Sequence, residues 1–329
     1  MSRIAACLAA LVLLATPVTA QCVGENLFDR MPEADRAALE TAADAVPFPK
    51  GNFWRATRGS EVITLVGTYH FDDPRHNATL AAVAPVIETA TSVLVEAGPD
   101  EEKALLALMA QDPSLMMITE GPSLIQQMSP ELWSKLSGAL SQRGIPGFMA
   151  AKLQPWYVNV LLAVPPCAMA QMSNPKGLDG LVIDTAEAAG VPVKALEPFD
   201  TVFKVFDLMT DADQMAMIES TLAVEDKSED FSITLADSYF AGESRLMWEL
   251  MRDIAHKTPG FSRAQVDAEF ARMEEALMAS RNRNWIPVLE KAAATGPVFA
   301  AFGALHLPGQ EGVLALLEAQ GFTIEPLPL

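Results

Sequence analysis

The chain has little positive charge. Its 329 residues carry 23 Lys+Arg against 42 Asp+Glu, a formal net charge of −19. That balance leaves no basic surface for a polyanion, so nucleic acid and anionic lipid are not expected partners. Low-complexity tracts and heptad arrays are missing as well. With 20% charged and 50% hydrophobic residues, the composition is that of a globular chain rather than a disordered, collagen-like or multi-span membrane one. Three catalytic signatures are absent: a Gly-x-Ser-x-Gly elbow, a Gly-rich phosphate loop and a His-Glu-x-x-His helix. Serine nucleophiles and nucleotide chemistry are therefore not expected.

At the N-terminus, Arg3 precedes an apolar run from Ile4 to Ala15, and Thr16-Pro17-Val18-Thr19-Ala20 follows. The run is too short for a bilayer core of about 30 Å. One basic residue, an apolar stretch and small residues together describe a secretory signal cut after Ala20. The mature chain is then expected in the periplasm or outside the cell, with no membrane span. A lipoprotein signal would need a small residue before Cys22, where Gln21 stands. Cysteine is scarce: Cys7 leaves with the signal, and Cys22 and Cys167 remain. An oxidising compartment favours their pairing, which would pin the N-terminal arm to the body, over two separate buried thiols.

The organisation predicted is a signal (1–20), an N-terminal arm and helix (21–51) and a body (52–329). Pro32 to Val46 has a first-turn proline, early acids and helical Ala/Leu spacing. Short apolar runs predict strands at Val62–Val66, Ser92–Val95, Val191–Leu196, Val298–Phe302 and Phe322–Leu327. Helical patterns separate them: Leu80–Ala90, Asp100–Gln111, Pro130–Gln142, Asp184–Ala189 and Gly312–Gln320. This alternation predicts an α/β fold, a central largely parallel or mixed β-sheet flanked by helices. Residues from about 200 to 295 break the rhythm with Met- and Leu-rich amphipathic helices, which predicts a helical insertion or cap. The methionines there read as adaptable core, or as the lining of a cleft for irregular apolar ligands.

Four polar residues stand where predicted strands end. Val66-Gly67-Thr68-Tyr69-His70 and Phe302-Gly303-Ala304-Leu305-His306 both run from apolar strand into Gly-x-x-His. Leu94-Val95-Glu96 and Ala195-Leu196-Glu197 both run from apolar strand into glutamate. Open α/β sheets gather ligands outside the carboxyl ends of their strands, and glycine there permits a sharp turn and close backbone approach. Two imidazoles and a carboxylate are ordinary ligands of a divalent transition metal with a position left open for water. Bound water then ionises near neutral pH. Glu96 is the expected carboxylate ligand, and Glu197 a second ligand, an orienter of a histidine or a general base. The bland alternative is two histidines merely hydrogen-bonded at the sheet rim. His76 in the polar Asp72–Asn77 loop and His256 at a helix end are not site candidates.

The segments Leu65–Arg75 with Val93–Glu96, and Ala301–Gly309 through Gly312-Val313-Leu314 and Gly321-Phe322, resemble the TraB/GumN (TraB/PrgY) family. Gly177-Leu178-Asp179, Leu196-Glu197 and Arg281-Asn282-Arg283-Asn284-Trp285 fall between them in the family's order. The resemblance covers roughly residues 53 to 329, and the family is similar to the Tiki proteins, metal-dependent peptidases. It implies His70, Glu96 and His306 in a metal or catalytic site holding manganese, cobalt or zinc. Arg281 and Asn282 become candidates to stabilise an oxyanion or orient substrate. The function so expected is a periplasmic metal-dependent hydrolase of peptides, or of another small-molecule substrate. Its rivals are a non-catalytic peptide-binding or envelope-assembly protein, and a metal-independent hydrolase using His70 and Glu96 as acid and base.

Overall fold

Phe53–Arg58 (β1) and Glu61–Thr68 (β2) pair as an antiparallel hairpin whose register sets Arg58 opposite Glu61. Gly59 and Ser60 therefore form a two-residue turn, and Gly59, at φ 61°, supplies the left-handed backbone such turns need. Ser92–Val95 (β3), Val193–Ala195 (β4) and Val298–Gly303 (β5) join β2 in a parallel set. Thr323–Pro326 (β6) closes the far edge antiparallel to β1. The order is β4-β3-β5-β2-β1-β6, a mixed sheet with a parallel centre. The computed structural model describes residues 22–173, 177–207, 209–260 and 262–329; the expected signal lies outside them.

Alternation along the strands builds a core on each face of the sheet. Ile63, Leu65, Leu94, Val298, Ala300 and Phe302 face the helix Ser280–Ala293, through Trp285 and Leu289, and the helix Val313–Ala319. Val66, Val93, Val95, Phe299 and Ala301 face the helices His76–Ile87 and Leu178–Ala188. The result is helix, sheet, helix.

Helices fill two long connections. The predicted block near 200–295 is present as Asp211–Leu222, Ser228–Phe240, Ser244–Lys257, Arg263–Glu274 and Ser280–Ala293, the last two joined by a π-helical turn, Glu275–Ala279. It does not stand alone. Pro130–Gln142 and Pro155–Leu162, between β3 and β4, share a core with it through Leu136, Leu140, Val158, Ile218 and Leu222. The N-terminal helix Glu33–Ala43 packs Leu39 and Ala43 onto Leu246 and Leu250. Cys22 and Cys167 form a disulfide that ties down the arm, with a Cα separation of 5.2 Å. Among the described residues no helix is long and apolar enough to cross a membrane.

Some local readings change. His76 is not in a loop: it is the first residue of its helix, buried, with Nε2 2.9 Å from the Phe71 carbonyl. Neither Gly67 nor Gly303 adopts a left-handed backbone, so neither glycine serves a sharp turn. Close approach is the reason for both.

Candidate active site at the strand ends

Parallel pairing determines where the polar residues fall. Thr68 lies opposite Gly303, and Val95 lies opposite both Ala195 and Ala301. The residues just beyond β2, β3, β4 and β5 therefore share one edge of the sheet. Because β5 inserts between β2 and β3, His306 arrives between His70 and Glu96.

Gly303 marks the meeting point. A Cβ there would lie 3.3 Å from Glu96 Oε1, 3.6 Å from His70 Nε2 and 3.7 Å from His306 Cδ2. Any side chain would fill the space the three groups border. The Gly303 N–H donates to Glu96 Oε1 at 2.6 Å, and His306 Nε2 stands 3.9 Å from the same oxygen.

Both imidazoles are held from behind. His70 Nδ1 is 2.8 Å from Asp179 Oδ2, while Asp179 Oδ1 accepts from the Thr68 hydroxyl at 2.5 Å. Asp179 reaches His70 because Gly177 packs directly on it: a Cβ at Gly177 would fall 2.4 Å from the His70 carbonyl carbon. His306 Nδ1 is 2.6 Å from Asn282 Oδ1, and the Trp285 ring lies 4.4 Å from the imidazole, centroid to centroid. Since a carboxylate and an amide oxygen can only accept, both rings carry the proton on Nδ1 and turn Nε2 toward the shared space.

Arg281 ties the two glutamates together. Its Nε and Nη2 donate to the Glu197 oxygens at 2.9 and 2.7 Å, and Nη2 also donates to Glu96 Oε2 at 2.5 Å. Nη1 donates to the Leu277 carbonyl and lies 3.3 Å from His306 Nε2. Glu197 accepts a further bond from Trp285 Nε1 at 2.9 Å. Its carboxylate is thus committed to Arg281 and Trp285 and does not touch a histidine. Asn282 is buried, with its amide nitrogen given to the Glu311 and His306 carbonyls. Its place is behind His306 rather than against a substrate.

The charges separate the two histidines. The Asp179 carboxylate beside the exposed His70 ring raises it to about 9, so His70 holds a second proton at neutral pH. Burial pushes His306 down to about 3, which keeps it neutral. Burial also works against a charge on Glu96. The cations Arg281 and His70 and the Gly303 N–H outweigh it and hold that carboxyl well below the usual carboxylate range.

The donor types fit a divalent transition metal, and each imidazole has the backing oxygen that metal-bound histidines use. The arrangement itself is closed by Arg281, which sits on His306 Nε2 and Glu96. Among the described residues, no three His, Cys, Asp or Glu side chains are gathered as an ion's cage. A metal held by His70, Glu96 and His306 requires the guanidinium to yield its contact with His306 and the extra proton to leave His70.

Sequence reasoning set His70, Glu96, Glu197 and His306 at strand ends, and the resemblance added Arg281 and Asn282; the structure brings the six into one cluster, with Glu197 behind Arg281 and Asn282 behind His306. It passed over Asp179 and Trp285 as site residues. Their only signal was membership of the Gly177-Leu178-Asp179 and Arg281–Trp285 segments.

The sheet, with two imidazoles, two carboxylates and a guanidinium beyond its parallel strands, defines an α/β protein with a strand-end polar site. This chain belongs to the TraB/PrgY/gumN family, whose model matches residues 52–326. No curated protein matches it.

Proposed function

We propose that the protein is an exported hydrolase of peptides, with its chemistry at the rim formed by His70, Glu96 and His306. The observation that carries this reading is the approach of His70 Nε2, Glu96 Oε1 and His306 to one point beside Gly303. The Cys22–Cys167 disulfide supports an oxidising compartment, in line with the signal expected at residues 1–20.

In this reading His70, Glu96 and His306 hold a divalent manganese, cobalt or zinc ion. When bound, such an ion supplies a water that ionises near neutral pH and a Lewis acid for the scissile carbonyl. Asp179 and Asn282 hold the two rings so that Nε2 is offered to the site. Arg281, released from His306, is the group placed to balance the negative charge that develops on the carbonyl oxygen. Glu197 and Trp285 keep the guanidinium in position.

The direct commitment of Glu96 to Arg281 favours a second reading, in which no metal takes part. There His70, protonated through Asp179, is the acid and Glu96 the base. One experiment separates the two. Protein stripped with a chelator is offered a peptide library with and without manganese, cobalt or zinc, and products are read by mass spectrometry. Cleavage restored by a metal supports the first reading, and cleavage indifferent to chelation supports the second. No cleavage under any condition contradicts both and leaves peptide capture without turnover.

A further inference from the structure

The helical block lines an open cleft of about 420 Å³, none of whose walls belongs to the Arg281 cluster. Its size lies within the span of small-molecule pockets, roughly 300–1,000 Å³. The helices Pro155–Leu162, Asp211–Leu222, Ser228–Phe240, Ser244–Lys257 and Arg263–Glu274 all contribute wall residues. Met217, Met247, Met251 and Met273 are among them. Flexible, polarisable thioethers mould to irregular apolar shapes, and surfaces rich in them accept several ligands. Phe71, the residue after His70, forms part of the wall.

The charges lining the cleft are of one sign. Among the described residues no Lys, Arg or His borders it, whereas Glu225 and Glu269 do. Arg143 neutralises Glu225 at 2.6 Å. Glu269 has neither a hydrogen bond nor an ion pair among the described residues. Burial raises its pKa, partly offset by Arg272. Glu269 is half-buried, so its carboxyl, without a partner among the described residues, stands open to a donor cation at the edge of an apolar wall.

We propose that this cleft binds a small amphiphile with an apolar body and an ammonium end, the body among the methionines and the ammonium against Glu269. An anionic amphiphile finds no counter-charge on these walls and meets a chain of net charge −19. The site is independent of the proposed hydrolysis.

Calorimetric titration of the whole mature protein with decylammonium, decanol and decanoate, each below its micellar concentration, tests this. The expected order is decylammonium first, decanol weaker and decanoate unbound. Glu269→Gln should weaken decylammonium about tenfold, the size of one charge-assisted hydrogen bond, and leave decanol unchanged. Met251→Trp should abolish binding of both by filling the cleft. If that variant fails to fold, Met273→Phe should weaken both. His70→Ala should bind as the wild type does, which separates this site from the rim. Absence of binding by all three compounds, decanoate binding as tightly as decylammonium, or full affinity in a folded Met251→Trp protein would each overturn the proposal.

Discussion

The carboxylate of Asp179 and the imidazole of His70, 109 positions apart, share a hydrogen bond of 2.8 Å. The same carboxylate takes the Thr68 hydroxyl through its other oxygen, so one side chain fixes both the ring and the end of β2. Asp179 therefore decides the charge and the aim of His70. A histidine anchored this way keeps Nε2 pointed at the space beside Gly303 whether that space holds a water, a metal or a substrate.

Asp179→Asn removes the charge that raises His70. The imidazole pKa of the metal-free protein, followed by NMR, should fall from about 9 toward the ordinary 6.5. The stability consequence has a definite sign. A histidine whose folded pKa is raised stabilises the fold fully below pH 6.5, and that contribution is lost as pH rises through about 9. The wild type should therefore lose stability across that window, and Asp179→Asn should show a flatter profile. An unchanged His70 titration in the variant would show that Asp179 is not the source of the shift.

Arg281→Met leaves Glu96 and Glu197 facing each other, largely buried and without their shared cation. Removing one partner of a buried pair costs about 3–5 kcal/mol, and a loss of that order should appear in urea unfolding. Arg281→Lys should recover only part of it, because an ammonium cannot match the planar fork that spans two carboxylates. A loss below about 1 kcal/mol, typical of an exposed pair, would contradict the buried role.

Asn282→Ala leaves His306 Nδ1 without an acceptor and the Glu311 carbonyl without its 2.7 Å donor. Orphaned buried groups cost about 1–3 kcal/mol, so a lower unfolding midpoint is expected. The His306 ring should also lose its fixed tautomer, visible in its nitrogen chemical shifts. A variant with native midpoint and native shifts would show that Asn282 does not orient the ring.

The disulfide closes a loop between positions 145 apart. Replacing both Cys22 and Cys167 by serine should lower stability by about 2–4 kcal/mol. The arm should nonetheless remain docked, since Asn26 still donates to Asp237 and the Leu27 N–H to Thr234. Rapid proteolysis confined to the arm of the double-serine variant would contradict this.

Much of this was legible in the sequence, for reasons that differ by element. β2, β3 and β5 are buried on both faces along most of their length, so their residues form apolar and β-branched runs that need no partner to be recognised. β1 escaped notice because Arg55, Thr57 and Arg58 interrupt it, and only its pairing with β2 and β6 makes it a strand. The helix from His76 begins earlier than its apolar pattern, since its first turn is polar and His76 is buried by Tyr69, Tyr239 and Phe240 from elsewhere in the chain. The strand-end residues were visible because glycine, histidine and glutamate recur at the same place relative to apolar runs. Asp179 carried no such mark: an acid in the first turn of a helix reads as an ordinary complement to the helix dipole. The role of Glu197 was equally hidden, because its bond to Arg281 crosses 84 positions and no local spacing reports it.

The most direct test of the account is peptide cleavage by wild type, His70→Ala, His306→Ala and the double variant, each shown to be folded and assayed with manganese, cobalt or zinc. If both imidazoles serve one centre, either single change should abolish turnover as completely as the two together, as residues acting as a unit do. Full cleavage by either single variant would contradict that centre.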